Sequence, residues 1–428
     1  MQDPGTNAIF RLRDRQNQQN DNQCREISTD FEVHNKLLNR LGDQSIPIED
    51  RMNNFGEFCK THRFVINEEQ ADYLIQLLNS AREQNNETLM INYLHAIELI
   101  IGYREEFTNE LFLVPQRLEP IMQCFPLSYA YNIVGLLAST DEEAATTIFQ
   151  YSKQYDFEST INDDQSIMFL TTFLKYQSLQ EKILPTIQKV IRLGYDSDGQ
   201  LRFECLRFIY FALKQSTELC FDLVEYQDFY LIFQKPAEDA QTNDMMLLIL
   251  REITFKTQNP LRSIIQTNLI YFILFGLQSD DACTLSYAID IIGDLAEFGG
   301  QQGTEILIQN NIIEKLFKII EDKALQNRLC AVSALLRIFL NSPLKFKVQI
   351  LEKDFLSILS DHLPLMSDKE CDSSLIILNM ILRVAETNNE TIVLDSIYGD
   401  EELYSVLSEI SESSENRVYA ESILSRFK

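Results

Sequence analysis

The 428-residue chain has no tryptophan, only four histidines, 13 glycines and ten prolines. β-Sandwiches and barrels need many tight turns, which draw on Gly and Pro for their special backbone angles. Their scarcity points to long helices. Basic residues are also short: 37 Lys and Arg stand against 64 Asp and Glu, a formal net charge of −27. Nucleic-acid binding without sequence preference requires Lys and Arg to displace phosphate counterions, so this balance argues against it. It argues equally against an anionic membrane surface. Opposite charge speeds encounter, so a basic partner fits better, although acids also keep a long chain soluble. The longest apolar run, Leu269–Leu277 (LIYFILFGL), has nine residues, whereas a membrane-spanning helix needs roughly 20. The opening MQDPGTNAIFRLRDR has no stretch apolar enough for a signal peptide.

Catalytic and metal-binding patterns are equally thin. Eight cysteines lie at 24, 59, 124, 205, 220, 283, 330 and 371, with no CxxC pair. They read as small reduced core residues. His34, His62, His95 and His362 are far apart. Cys59 and His62 lack the second pair that a four-ligand zinc site needs. Asp196-Ser-Asp198-Gly199 opens like a calcium loop but lacks its later oxygen ligands. Gly299–Gly303 (GGQQG) has neither the preceding strand nor the following Lys-Ser/Thr of a phosphate loop. No nucleophile elbow or kinase signature occurs. The expectation is a non-enzyme without metal or cofactor.

What the chain does have is 45% hydrophobic residues, more than one spherical core accommodates at this length. It also repeats itself. DLVEYQDFYLIF, SIIQTNLIYFIL, ILIQNNIIEKLFKII, VQILEKDFLSIL and TIVLDSIYGDEELYSVL share an apolar pair, a polar break and an amphipathic stretch. Their equivalent positions are Val224, Ile265, Ile308, Leu351 and Leu394, separated by 41, 43, 43 and 43 residues. That period belongs to armadillo and HEAT arrays. A second element alternates with the first: DMMLLILREITF, SYAIDIIGDLAEFG, LCAVSALLRIFLNS, SLIILNMILRVAE and RVYAESILSRF. Its three- and four-residue apolar spacing predicts a helix with one buried face. The breaks KTQNP, GGQQG and NSP are helix stop signals. NYLHAIELIIGY, SYAYNIVGLLAST, QSIMFLTTFLKY and ECLRFIYFALKQS continue the element toward the N-terminus at less even spacing. The 44 Phe and Tyr residues cluster beside acids such as Asp222, Glu225 and Asp228. Core packing accounts for them better than base stacking, which wants basic neighbours. The predicted architecture is all-α: a right-handed superhelical solenoid of armadillo/HEAT-type repeats. About nine units occupy residues 46–428, behind a largely disordered or extended arm at 1–42.

The stretch Ser286–Phe339 resembles armadillo repeats specifically. AIDIIGDLAEFGG stands where that family has its third helix, and IQNNIIEKL where it has a Gly-Ala-Ile turn. The segment Phe10–Gly42 resembles the N-terminal segment of the importin-alpha nuclear transport adaptors. Arg11, Arg13 and Arg15 stand for its first basic cluster, Arg25, Glu26, Ile27 and Phe31 for a helix start, and Lys36 and Arg40 for its second basic cluster. Residues 1–42 carry six basic and six acidic side chains, where the family's segment is strongly basic.

This resemblance implies importin-beta as a partner through Arg11, Arg13, Arg15, Arg25, Lys36 and Arg40. It also implies basic signal peptides as ligands and residence in cytoplasm and nucleus. Importin-alpha presents Trp and Asn, four residues apart, from each inner helix. The matching pairs here are Leu248 with Glu252, Asp290 with Asp294, Ser333 with Arg337, and Asn379 with Arg383, while Asn132 stands in SYAYNIVGLLAST. The expected peptide-binding face therefore contains Asn132, an acidic middle of Glu252, Asp290 and Asp294, and Arg337 and Arg383 toward the C-terminus. The alternative is a scaffold that joins cytoplasmic or cytoskeletal partners and has no transport role.

Overall fold

An apolar stripe that returns every 43 residues must be covered by its own copy in the next repeat, because one repeat cannot bury it alone. The chain folds in this way. The computed structural model describes residues 26–28, 31–43, 45–64, 66–101, 110–152, 161–235, 239–258, 270–413 and 417–427. It divides into two units, residues 1–215 and 216–428. Both are helical, as predicted. Among the described residues the strands are β1 (Glu26–Ser28) and β2 (His62–Phe64). They pair in parallel, with Glu26 opposite His62 and Ser28 opposite Phe64.

In the first unit four helices form a ladder: α1 (Glu87–Ile101), α2 (Ser128–Ala138), α3 (Asp164–Phe173) and α4 (Gly199–Gln215). Each packs on the next. The middle two are short, which explains the uneven spacing in the sequence. Aromatic rings fill the space between them: Phe125 stacks on Tyr131 at 4.3 Å, and Phe169 meets Phe173 edge-on at 4.8 Å. Asp163 starts α3 by accepting a 2.7 Å bond from the Ser166 amide, so one otherwise unpaired helix-end donor is satisfied.

Phe31–Gly42 lies within the stretch expected to be a disordered or extended arm. It forms a helix that packs on Ile48–Thr61 and Glu68–Glu83. His34, Leu38 and Leu41 form its buried face. Arg51 Nη1 donates to the Leu41 carbonyl at 2.6 Å, and Gln70 Nε2 to Asn35 at 2.7 Å. The packed structure thus begins before residue 46, because the three- and four-residue spacing of His34, Leu38 and Leu41 gives this segment an apolar face to cover.

The second unit carries the repeat in its regular form, with a ladder of α5 (Ala240–Thr257), α6 (Ala282–Gln309), α7 (Leu325–Asn341), α8 (Asp368–Asn388) and α9 (Arg417–Leu424). Again each packs on the next. The preceding short helices Leu344–Leu351 and Phe355–His362 complete a three-helix, armadillo-type repeat with α8. Buried positions recur at 43 residues: Ala288, Ala331 and Ser374; Ile292, Leu335 and Leu378; Leu295, Ile338 and Ile381. The turns recur too. Asn311 and Asp354, also 43 apart, both adopt left-handed backbone with φ near +55°. Short polar side chains tolerate that region best after glycine, and Asn311 stands where the armadillo pattern has its glycine.

Ion pairs tie successive repeats together. Lys347, 1% exposed, donates to both carboxylate oxygens of Glu390 at 2.8 and 3.1 Å, and Lys323 reaches Asp280 at 3.2 Å. Five of the cysteines, 59, 124, 205, 220 and 371, are buried, while Cys283 is exposed and Cys330 half-buried.

Helix α6 bends sharply at Gly300, where φ is +53° and ψ −140°, a conformation open essentially to glycine alone. The bend folds Gly303 onto the preceding turn so closely that a methyl group would overlap the Leu295 carbonyl oxygen. Gly303→Ala is expected to cost roughly 2–3 kcal/mol, the usual penalty of overpacking. Gly56, mid-helix with nothing within 4 Å of an added Cβ, serves as the control: Gly56→Ala should stabilise by about 0.5–1 kcal/mol. Urea unfolding midpoints of the two variants check both signs.

Candidate functional site

The ladder helices supply the residues expected to bind a partner, and the structure sorts them into groups. In the second unit Asp290, Asp294 and Arg337 come together. Arg337 Nη1 bonds Asp294 Oδ1 at 3.1 Å and Glu297 Oε2 at 3.3 Å. Arg251 Nε bonds Asp290 Oδ2 at 2.9 Å. Thr254 Oγ1 donates to Asp294 Oδ2 at 3.4 Å. Gly293 makes this possible: a Cβ there would press on the Arg337 guanidinium at 3.1 Å, so the absent side chain lets the arginine lie flat across α6.

These contacts change the meaning of the expected charge pattern. The acidic middle and the basic end do not stand apart, because Arg337 is the counter-ion of Asp294. Their separation, 43 residues, is the repeat itself, a signal available in the sequence. Burial pushes the Asp294 carboxyl up to about 6, against the pull of Arg337. Burial raises Asp290 as well, again with Arg251 and Arg337 opposing. One repeat earlier, Thr284 Oγ1 donates to Asp244 at 2.5 Å, and burial lifts that carboxyl to about 6. Between α6 and α7 a cleft of about 150 Å³ is lined by Asp290, Ser333, Arg337, Met366 and Glu370.

The remaining candidates fall elsewhere. Glu252 bonds Lys256 on its own helix at 3.4 Å. Arg383 is exposed on α8, where its charge helps hold the Glu386 carboxyl low, behind the larger effects of hydrogen bonds from Arg426 and Tyr398. The 43-residue register that pairs Asp290 with Ser333 and Asp294 with Arg337 continues to Ile376 and Met380, not to Asn379 and Arg383. Ile376 and Met380 are 38% and 46% exposed. Asn379 is turned toward α9, where it donates to Ser422 at 3.4 Å. Lys36 and Arg40 are exposed on the Phe31–Gly42 helix. Arg11, Arg13, Arg15 and Arg25 lie outside the described residues.

Asn132 belongs to the first unit. On α2 it lies beside Glu98 of α1 and holds that carboxyl down. One turn back, His95 and Tyr129 stack at 4.8 Å with their rings 25° apart. Burial raises Glu98, with Asn132 opposing, and burial lowers His95. Sequence reading had no signal for this group beyond the ladder spacing.

A crystal structure of an engineered protein is similar to this chain with a TM-score of 0.69 at 14% identity, over 92% of this chain and 98% of its own. A designed armadillo repeat protein aligns with 56% of this chain and 99% of its own, at 16% identity and a TM-score of 0.47. The first likeness shows the fold. No protein-family model matches the chain, and no curated protein matches its sequence. Among the described residues no helix is long and apolar enough to cross a membrane.

A carboxyl raised by burial binds its proton more tightly in the folded state than in the unfolded one, so folding costs more where that group is ionised. For Asp294 the cost is present above about pH 6 and fades as pH falls toward about 4, the unfolded value. Relative to Asp294→Asn, the native chain should therefore gain stability between about pH 7.5 and pH 5. Urea midpoints for the pair at both pH values check this; an unchanged difference would rule it out.

Proposed function

We propose that this chain is a non-enzymatic protein-binding solenoid that holds an extended segment of a partner along its third-helix ladders. The observation that carries this reading is the ladder itself. Successive helices, each equivalent to the last, present side chains at a regular interval, which suits a linear ligand rather than a reacting small molecule. The net charge of −27 favours a basic segment, since complementary potential raises encounter rates. Its particular form, in this proposal, is an importin-alpha-like adaptor that works in cytoplasm and nucleus. It takes basic signal peptides on Asn132, Glu252, Asp290, Asp294 and their neighbours, and importin-beta through Arg11, Arg13, Arg15, Arg25, Lys36 and Arg40.

One observation favours a second reading, a scaffold that joins cytoplasmic or cytoskeletal proteins. Asp290 and Asp294 already hold cations from the chain itself. Beyond them Ile376, Met380, Val418 and Tyr419 are exposed, which suits an apolar partner.

A fluorescently labelled Lys/Arg-rich peptide should bind the full chain and weaken as salt rises, because exposed charges are screened beyond about 10 Å at 0.1 M. Affinity capture from the native cell separates the two forms. Recovery of importin-beta, lost when Arg11, Arg13 and Arg15 become alanine, supports the adaptor. Cytoskeletal partners with no importin-beta support the scaffold.

A further inference from the structure

The ladder face of the second unit changes character along its length. In the 43-residue register, Asp290 and Asp294 on α6 give way to Ser333 and Arg337 on α7, and these to Ile376 and Met380 on α8. Ile376 and Met380 are 38% and 46% exposed. The fold does not require apolar side chains at these two positions, because polar ones serve in both earlier repeats.

Charge brackets the apolar pair. Lys369, Ile376, Met380 and Arg383 lie seven, four and three residues apart, so they share one face of α8. Lys369 and Arg383 are exposed, and among the described residues neither forms an ion pair. Glu386, one turn beyond Arg383, is already bound by Arg426 and Tyr398. Asp372 is half-buried on another side of α8, seven residues before Asn379, which turns toward α9. In a chain of net charge −27, two cations without counter-ions on one helix face set up a local field opposite to that of the whole.

α9 widens the patch. Asn379 and Ser422 are bonded across the α8–α9 seam at 3.4 Å. One turn before that bond on α9, Val418 and Tyr419 are 71% and 36% exposed, level with Ile376. Single exposed apolar residues are ordinary, but a contiguous group with a polar rim marks an interaction surface. Two apolar side chains one turn apart, with a cation at each end, match a helix laid along α8.

We infer that Lys369, Ile376, Met380 and Arg383, with Val418 and Tyr419 beside them, form a docking surface for an amphipathic helix of a partner protein. That helix carries apolar anchors one turn apart and carboxylates on both flanks. The surface rests on the protein-binding reading above but not on its basic-segment form, since it selects the opposite charge.

The probe is a labelled helical peptide with two leucines one turn apart and glutamates at both ends of the same face. Its twin has lysines in place of the glutamates. The full chain should bind the glutamate peptide roughly tenfold more tightly than the twin. Lys369→Glu with Arg383→Glu should invert that preference. Ile376→Ser with Met380→Gln, polar as these positions are one repeat earlier, should weaken the glutamate peptide roughly tenfold. Its melting midpoint should stay unchanged, which separates a docking role from a structural one. Equal binding of both peptides, or a preference that survives the charge reversal, overturns the docking surface and leaves the protein-binding reading standing. Binding of neither peptide also overturns it; self-association of the native chain, lost in Ile376→Ser with Met380→Gln, would then assign the patch to a second copy.

Discussion

The constraint on which the second unit depends is that each ladder helix must cover the apolar stripe of the one before it. Ala288, Ile292 and Leu295 are buried by the same geometry that buries Ala331, Leu335 and Ile338 one repeat later. Turns and ion pairs in the unit share the offset this sets. The left-handed turns at Asn311 and Asp354 fall 43 residues apart, and so do Arg337 with Asp294 and Lys347 with Glu390. For these pairs the partner lies one period away in number, while Arg251 with Asp290 and Thr254 with Asp294 reach across at 39 and 40 residues. Burying Lys347 is costly unless its charge is met, and the period delivers Glu390 to meet it.

The fold was legible because its signal is redundant. Five segments carry the period, and a first interval of 41 residues does not hide the 43 of the rest. The site was less legible, for a physical reason. On a helix, positions three and four residues apart share a face, so aligning one repeat a single turn out still gives a plausible apolar pattern. That is how Asn379 and Arg383 came to stand for Ile376 and Met380. The pairing of Arg337 with Asp294 is legible in the same way, since their spacing equals the repeat, but within a single helix each stands as a separate charge. The helix at Phe31–Gly42 was likewise visible in the spacing of His34, Leu38 and Leu41.

Buried charge is met in more than one way. In the second unit Asp294 and Asp290 are met by Arg337 and Arg251 from neighbouring helices, whereas Asp244 accepts from the Thr284 hydroxyl. In the first unit Arg207 pairs with the buried Glu204, and Arg117 bonds Asp72 at 2.7 Å. A carboxylate paired across helices ties the stack together, and one that lacks a counter-ion bears its desolvation cost alone. Net charge alone, −27 for the whole chain, does not distinguish these two conditions. The distribution of counter-ions does.

The exact 43-residue offset in the second unit also separates what is interchangeable from what is ordered. Removing one whole period between α6 and α8 would set Ser374, Leu378 and Ile381 against α6 in place of Ala331, Leu335 and Ile338, a near-conservative exchange of core. Asp294 would then face Met380 in place of Arg337. The apolar stripe treats the repeats as copies, but the polar positions give each one an address. Recombination that shuffled such repeats would preserve the fold while leaving a stranded carboxylate to mark the seam.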